Sequence, residues 1–105
     1  MQIPATMSDY KYTVRADWLD PIVNAVGNLF EDIRGADLLF LSGQDKESER
    51  EANDACDRFR QAAAYLGAEI EACHTYVELG RIKCRIAVTH PSGGSIRITY
   101  SPRLV

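Results

Sequence analysis

Two segments near the end of the chain carry an apolar residue at every second position. Ile82–Thr89 and Ile96–Tyr100 both follow this period, and the residues in between are basic or hydroxyl side chains and Ala87. Such alternation is typical of a strand with one buried face. The segment between them, His90–Ser95, holds a proline and two adjacent glycines, so we predict a hairpin. The residues predicted to face inward are Ile82, Cys84, Ile86, Val88, Ile96, Ile98 and Tyr100.

Two further strands are predicted from the same kind of pattern. Tyr10–Ala16 alternates apolar residues with lysine, threonine and arginine, which indicates a first strand. Ile70–Leu79 is rich in β-branched and aromatic residues and is followed by Gly80, which predicts a strand that turns into the one beginning at Ile82.

The first helix is predicted to begin with Asp20 as its cap and Pro21 at its first position. Apolar residues then recur at helical spacing, namely Ile22, Val26, Leu29 and Ile33. Gly35 is a natural end for this helix. The spacing nevertheless continues through Ala36 and Phe40, so we favour a helix that runs on to Leu41 or a short second helix. A short buried strand over residues 38–41 is the alternative.

The next segment shows the clearest helical pattern. After a break at Ser42–Gln44, one apolar stripe is formed by Ala52, Cys56, Phe59, Ala63 and Leu66, and Gly67 is predicted to end the helix. Acidic residues early in the segment and Arg58 and Arg60 later complement the helix dipole.

The predicted elements follow the order β-α-α-β-β-β. This order predicts an α+β fold in the form of a two-layer sandwich, with an antiparallel sheet and both helices packed on one face. We expect residues 1–8 to be a flexible N-terminal tail and residues 9–105 to be a single domain. A chain of 105 residues can bury a modest core without a metal or a disulfide.

The composition, 46% hydrophobic and 26% charged, is that of an ordinary globular protein. No apolar run approaches the roughly 20 residues of a membrane span, and no secretory signal pattern precedes the first strand. We therefore expect a cytoplasmic protein that does not enter a membrane. The three cysteines are expected to be buried reduced thiols, because each falls within a predicted element and none forms a CxxC pair. We expect no metal and no other cofactor.

The net charge of −3 conceals an asymmetry along the chain. Residues 1–57 contain twelve acids and five bases, whereas residues 58–105 contain three acids and seven bases. Two candidate binding surfaces follow from this division. The acidic face of the second helix carries Glu47, Glu51 and Asp54. The basic face of the sheet carries Lys11, Arg15, Lys83, Arg85 and Arg97. Each surface can equally be a solvated face with no partner.

No arrangement of residues predicts catalysis. Cys73 and His74 are neighbours on a strand, so their side chains point to opposite faces and cannot form a nucleophile–base pair. His90 falls in a hairpin loop, where we expect it to have a role in the turn. The loop Ser92–Ser95 lacks the following helix of a nucleotide-binding loop.

The element order, with basic residues on the last strands, resembles that of the RelE/ParE-type toxins. Some of these toxins cut messenger RNA on the ribosome with arginine, lysine and a C-terminal tyrosine. The resemblance implies that the corresponding residues here are Lys83, Arg85, Arg97 and Tyr100. It extends to element order only and includes no diagnostic motif.

We expect a small non-enzymatic protein-binding module with a protein partner. Many phage and plasmid proteins of this make-up inhibit a host complex, as anti-CRISPR proteins do, and this is a class-level association. The alternative is a nucleic-acid- or ribosome-directed protein that acts through the basic sheet face. The sequence leaves the identity of the partner and the oligomeric state open.

Overall fold

The computed structural model describes the backbone of residues 7–14, 16–91 and 93–102, with side chains from Pro21 onward. It contains two helices followed by three antiparallel strands, which confirms this part of the predicted order, with one further strand before the helices. The elements are β1 (Met7–Val14), α1 (Ala16–Leu41), α2 (Asp45–Tyr65), β2 (Glu69–Glu78), β3 (Arg81–Thr89) and β4 (Gly94–Tyr100).

The strands form one antiparallel sheet in the order β1-β4-β3-β2. The first strand is shifted from its predicted range of Tyr10–Ala16, since β1 ends at Val14. Of the predicted N-terminal tail, residues 1–6 lie outside the described residues, and the tail stays a prediction. A register shift between Ile70 and Ala72 interrupts the pairing of β2 with β3 near the start of β2.

The first helix begins earlier than predicted. It includes Ala16, and Pro21 lies inside it rather than at its first position. A proline inside a helix lacks the N–H that would bond to the carbonyl four residues earlier, here residue 17, and its ring crowds that carbonyl. A helix can continue through a proline at this cost, so the proline does not by itself fix where the helix begins.

The first helix also continues past Gly35 to Leu41, as favoured from the apolar spacing, and the alternative of a strand over residues 38–41 is wrong. An interior glycine costs about 1 kcal/mol relative to alanine. Contacts beyond Gly35 offset this cost. Ala36 and Asp37 are buried, Phe40 packs against the core, and the Ser48 hydroxyl on α2 donates a hydrogen bond of 2.7 Å to the Ala36 carbonyl.

The second helix follows its predicted stripe. Ala52, Cys56, Phe59 and Ala63 are buried, and Leu66 packs at the edge of the core. Gly67 has a φ of +79°, and the N–H of Ala68 reaches back to the Ala63 carbonyl at 2.9 Å. This is the left-handed end that glycine was predicted to provide. At its start, Gln44 is the N-terminal cap, and the Gln44 side chain makes no capping hydrogen bond.

All seven residues predicted to face inward from β3 and β4 are buried. They meet the apolar faces of both helices, so the helices cover one side of the sheet and the opposite side is open. Phe30 of α1 stacks on Tyr100 of β4 with ring centroids 4.3 Å apart. Burial of one such large side chain contributes about 1.5–3 kcal/mol. Neither described helix combines the length and the apolarity that a membrane crossing requires.

Candidate functional site

The predicted basic face is the outer side of the sheet, away from the helices. Arg85 and Arg97 are exposed there, and Lys83 is half-buried. Lys11 is opposite Arg97 in the register of β1 and β4. The Lys11 side chain and the whole of Arg15 lie outside the described residues, so their place on this face stays a prediction.

Carboxylates on β2 neutralise part of this face. The Lys83 ammonium lies 2.6 Å from Glu78, and the Arg97 guanidinium lies 2.8 Å from Glu71. Among the side chains that the structure describes, no carboxylate pairs with Arg85, which lies between His74 and Thr99 in register. Of the three bases whose side chains are described on this face, only Arg85 therefore offers an unpaired charge to an anion.

The toxin-like set of residues does not share one face. Tyr100 is 2% exposed and lies in the core beside Phe30, on the helix side of the sheet. Lys83, Arg85 and Arg97 are on the other side. Side chains at successive strand positions point to opposite faces of the sheet. Tyr100 lies three positions after Arg97, so its side chain points to the helix side and not to the basic face.

The predicted acidic face of α2 is also compensated in part. Glu47 forms an ion pair with Arg50, and Arg58 bridges Glu51 at 3.5 Å and Asp32 at 2.9 Å. The hydrogen bond that the Arg58 guanidinium donates to the Asp32 carboxylate raises the pKa of Arg58 above its usual value. Asp54 is exposed and has no ion pair within the described side chains. These contacts are exposed, and such pairs contribute little to stability.

The cysteines are free and buried, as predicted. They converge where α2 packs on the sheet, and the Cys73 thiol lies 3.9 Å from the Cys56 carbonyl. Hydrogen bonding to Cys56 and burial raise the pKa of the Cys84 thiol. Within the described ranges, no group of three or more histidine, cysteine or acidic residues is arranged to hold a metal ion.

His90 has a structural contact in addition to its place in the loop. Its N–H donates to the Gly94 carbonyl, which closes the β3–β4 turn. Its ring Nε2 lies 3.2 Å from the Leu66 carbonyl at the end of α2. The ring thus connects the loop to the helix end.

Sequence reasoning missed one surface, at the end of the molecule where α1 stops and β2 turns into β3. Four large apolar side chains are exposed there: Leu38, Leu41, Val77 and Leu79. The two segments are adjacent because Asp37 of α1 bonds to Arg81 and Ile82, directly after the β2–β3 turn. We call these four residues the apolar end. The sequence pattern predicts only a helix or a strand for Leu38 and Leu41, and only a strand for Val77 and Leu79.

Leu79 stands out within the apolar end. Its side chain is 91% exposed, and its φ is +53°. Gly80 also has a positive φ, so the two residues form a type I′ turn. Asparagine, aspartate and glycine are usual at both positions of such a turn, whereas a left-handed conformation costs other residues about 1–2 kcal/mol. The fold therefore holds an exposed leucine in a strained backbone conformation.

A cavity of about 240 Å³ opens beside the apolar end. Its lining is apolar at Phe40, Ala52, Val77 and Ile82, and it is acidic at Asp45 and Glu49. It is bounded by α2 on one side and by β2 on the other.

Asp37 holds this region together. Its carboxylate is 1% exposed, accepts two hydrogen bonds of 2.9 and 2.5 Å from the Arg81 guanidinium, and accepts one of 2.9 Å from the Ile82 N–H. Arg81 also donates to the Pro102 carbonyl at 2.9 Å. The hydrogen bond to Asp37 raises the pKa of Arg81. The sequence contained a signal for this role, because Asp37 falls on the apolar stripe of α1, four residues after Ile33.

Comparisons of the chain with protein-family models, with curated proteins and with solved structures found no match.

Proposed function

We propose that this chain is a non-enzymatic protein-binding module and that the apolar end is its binding surface. The observation that supports the proposal is the strained and exposed Leu79, at the same end of the molecule as the exposed Val77, Leu38 and Leu41. Backbone strain and exposed apolar clusters each cost free energy in an isolated domain. Both are explained if a partner covers the cluster.

The energetic argument favours a protein partner. An apolar side chain gains about 25 cal/mol for each Å² that it buries, and large apolar residues dominate the centres of protein interfaces. The two charged surfaces support the proposal less, because most of their described charges have intramolecular partners. A more specific proposal is that the chain inhibits a host complex, as anti-CRISPR proteins do. This rests only on its general similarity in make-up to phage and plasmid proteins of that kind.

The test is affinity capture from a lysate of native host cells, with and without nuclease, read by mass spectrometry. We expect a stoichiometric protein partner that survives nuclease, is lost with Leu79→Asn and is retained with Tyr65→Asn. Tyr65 is a matched control, since it is also 91% exposed but lies at the far end of α2.

Two other outcomes would refute this assignment. Loss of the partner on charge reversal at Glu47, Glu51 and Asp54, with no effect of Leu79→Asn, would move the binding surface to the acidic helix. Capture of RNA or ribosomal proteins that nuclease removes, with a steep loss of affinity as salt rises, would favour the basic sheet face, because phosphate contacts release counterions. Arg85→Ala should then abolish capture.

A further inference from the structure

The second strand has a free edge close to the apolar end. It is the last strand in the sheet order, and among the described strands it pairs only with β3. It is ten residues long and contains no proline. Exposed edge strands present unpaired backbone groups that can pair with another strand, and proteins usually protect them.

The turn geometry identifies the backbone groups that point outward. A two-residue turn closes on Glu78 and Arg81, so these two form a hydrogen-bonded pair. Hydrogen-bonded pairs then alternate along the ladder, through Tyr76–Lys83 and His74–Arg85. The N–H and C=O groups of the intervening residues Thr75 and Val77 therefore point away from β3.

One position on this edge is already covered. The Arg60 guanidinium on α2 donates a hydrogen bond to the Cys73 carbonyl, which belongs to the same outward-pointing set. In the part of the chain that the structure describes, no hydrogen bond reaches the outward groups of Thr75 or Val77. The edge is thus covered at Cys73 and open over Thr75–Val77.

The open segment of the edge borders the cavity beside the apolar end. The side chains of Thr75 and Val77 line that cavity together with Phe40, Ala52 and Ile82. At about 240 Å³, the cavity is smaller than the usual 300–1,000 Å³ of small-molecule sites. Its size suits one apolar side chain from a strand that pairs with the edge, because alternate residues of such a strand point toward the same side.

Charge around the cavity restricts the partner further. Asp45 and Glu49 line it, both are exposed, and none of its nine lining residues is a base. Neither carboxylate takes part in an ion pair with a described side chain. A segment that carries lysine or arginine next to its apolar anchor complements this surface.

We propose that the open edge of β2 binds an extended segment of a partner protein by strand addition. The segment pairs with the backbone of Thr75 and Val77, places one large apolar side chain in the cavity and sets flanking basic residues against Asp45 and Glu49. This mode of recognition takes affinity from main-chain hydrogen bonds and specificity from the cavity. It names the partner chemistry of the proposed protein-binding function and rests on that function.

The experiment uses the full chain to select from a displayed library of random linear peptides. We expect enriched sequences with one large apolar residue flanked by lysine or arginine. Binding of a synthesised, enriched peptide should fall at least about tenfold with Val77→Glu and with Glu49→Lys, equivalent to the loss of one good contact. Glu31→Lys is the matched control and should keep full affinity, because Glu31 is exposed on α1 about 13 Å before Phe40.

Backbone pairing is tested separately with N-methylated forms of the same peptide. A strand donates from alternate residues toward its neighbour, so methyl groups on one alternating set of nitrogens should abolish binding. Methyl groups on the other set should leave the affinity within about twofold. Equal effects of the two sets would exclude strand addition.

Several other results would overturn the inference. These are enrichment of acidic peptides, enrichment no greater than on an unrelated protein, and affinity unchanged by Val77→Glu. Light scattering that shows a dimer of this chain, dissociated by Val77→Glu, would assign the edge to a second copy instead. If no peptide binds but lysate capture still depends on Leu79, the proposed function stands and only this mode of binding fails. If lysate capture does not depend on Leu79, the proposed function itself fails.

Discussion

Replacement of Leu79 by asparagine is expected to stabilise the fold, although it removes a large apolar side chain. A left-handed conformation costs an ordinary residue about 1–2 kcal/mol, and asparagine tolerates it far better. The leucine side chain is 91% exposed. Full burial of a leucine contributes about 1.5–3 kcal/mol, so the small buried fraction here is worth about 0.2 kcal/mol. Relief of backbone strain therefore exceeds the loss of burial.

The expected gain is close to 1 kcal/mol, which corresponds to a rise in melting temperature of about 4–8 °C for a domain of this size. Thermal and urea denaturation followed by circular dichroism measure it. Leu79→Ala is the control, because it removes the same side chain but keeps a residue that disfavours positive φ. Its stability should stay within about 0.5 kcal/mol of the parent chain.

Two results would refute this reasoning. A destabilised Leu79→Asn variant would show that the leucine side chain stabilises the turn. Equal stabilities of the asparagine and alanine variants would show that backbone strain at position 79 is not the cause. If the proposed function is right, the asparagine variant also loses its partner, so stability and binding change in opposite directions.

Three further predictions concern the interior. Asp37→Ala should destabilise the fold by about 3 kcal/mol, because it leaves the Arg81 guanidinium and the Ile82 N–H without their buried acceptor, and urea denaturation measures the loss. Phe59→Ala should cost about 3–5 kcal/mol, since Phe59 is 2% exposed, and an unchanged midpoint would contradict its place in the core. The three buried thiols should react slowly with a disulfide reagent in the native state and quickly in urea; fast native labelling would contradict their burial.

The predictions that succeeded rest on periodicity. The alternation over Ile82–Tyr100 placed all seven inward residues of β3 and β4 correctly, including Tyr100. The stripe of α2 and its glycine end at Gly67 were also correct. In each case the spacing of apolar residues identifies the side chains that are buried away from water. This spacing lies within a single helix or strand, so it can be read directly from the sequence.

Two features could not be read from the local pattern of the chain. The start of α1 was placed five residues too late, because a proline was assumed to mark the first turn. The sequence predicts Lys83 and Arg97 on the basic face, but it does not show that Glu78 and Glu71 of the neighbouring strand lie against them. Which carboxylate meets which base is set by strand order and register, and neither can be read from the spacing of charges along the chain.

The sequence by itself determined the types of the elements apart from residues 38–41, the buried faces of α1, α2, β3 and β4, and the two-layer α+β class, since these follow from the burial of apolar side chains at fixed periods. Only the tertiary structure decided where the functional candidates lie. It brought the end of α1 to the β2–β3 turn through Asp37, left the edge of β2 open beside a cavity, and gave Leu79 a positive φ. These features arise from residues distant in the chain, whose proximity depends on how the layers pack.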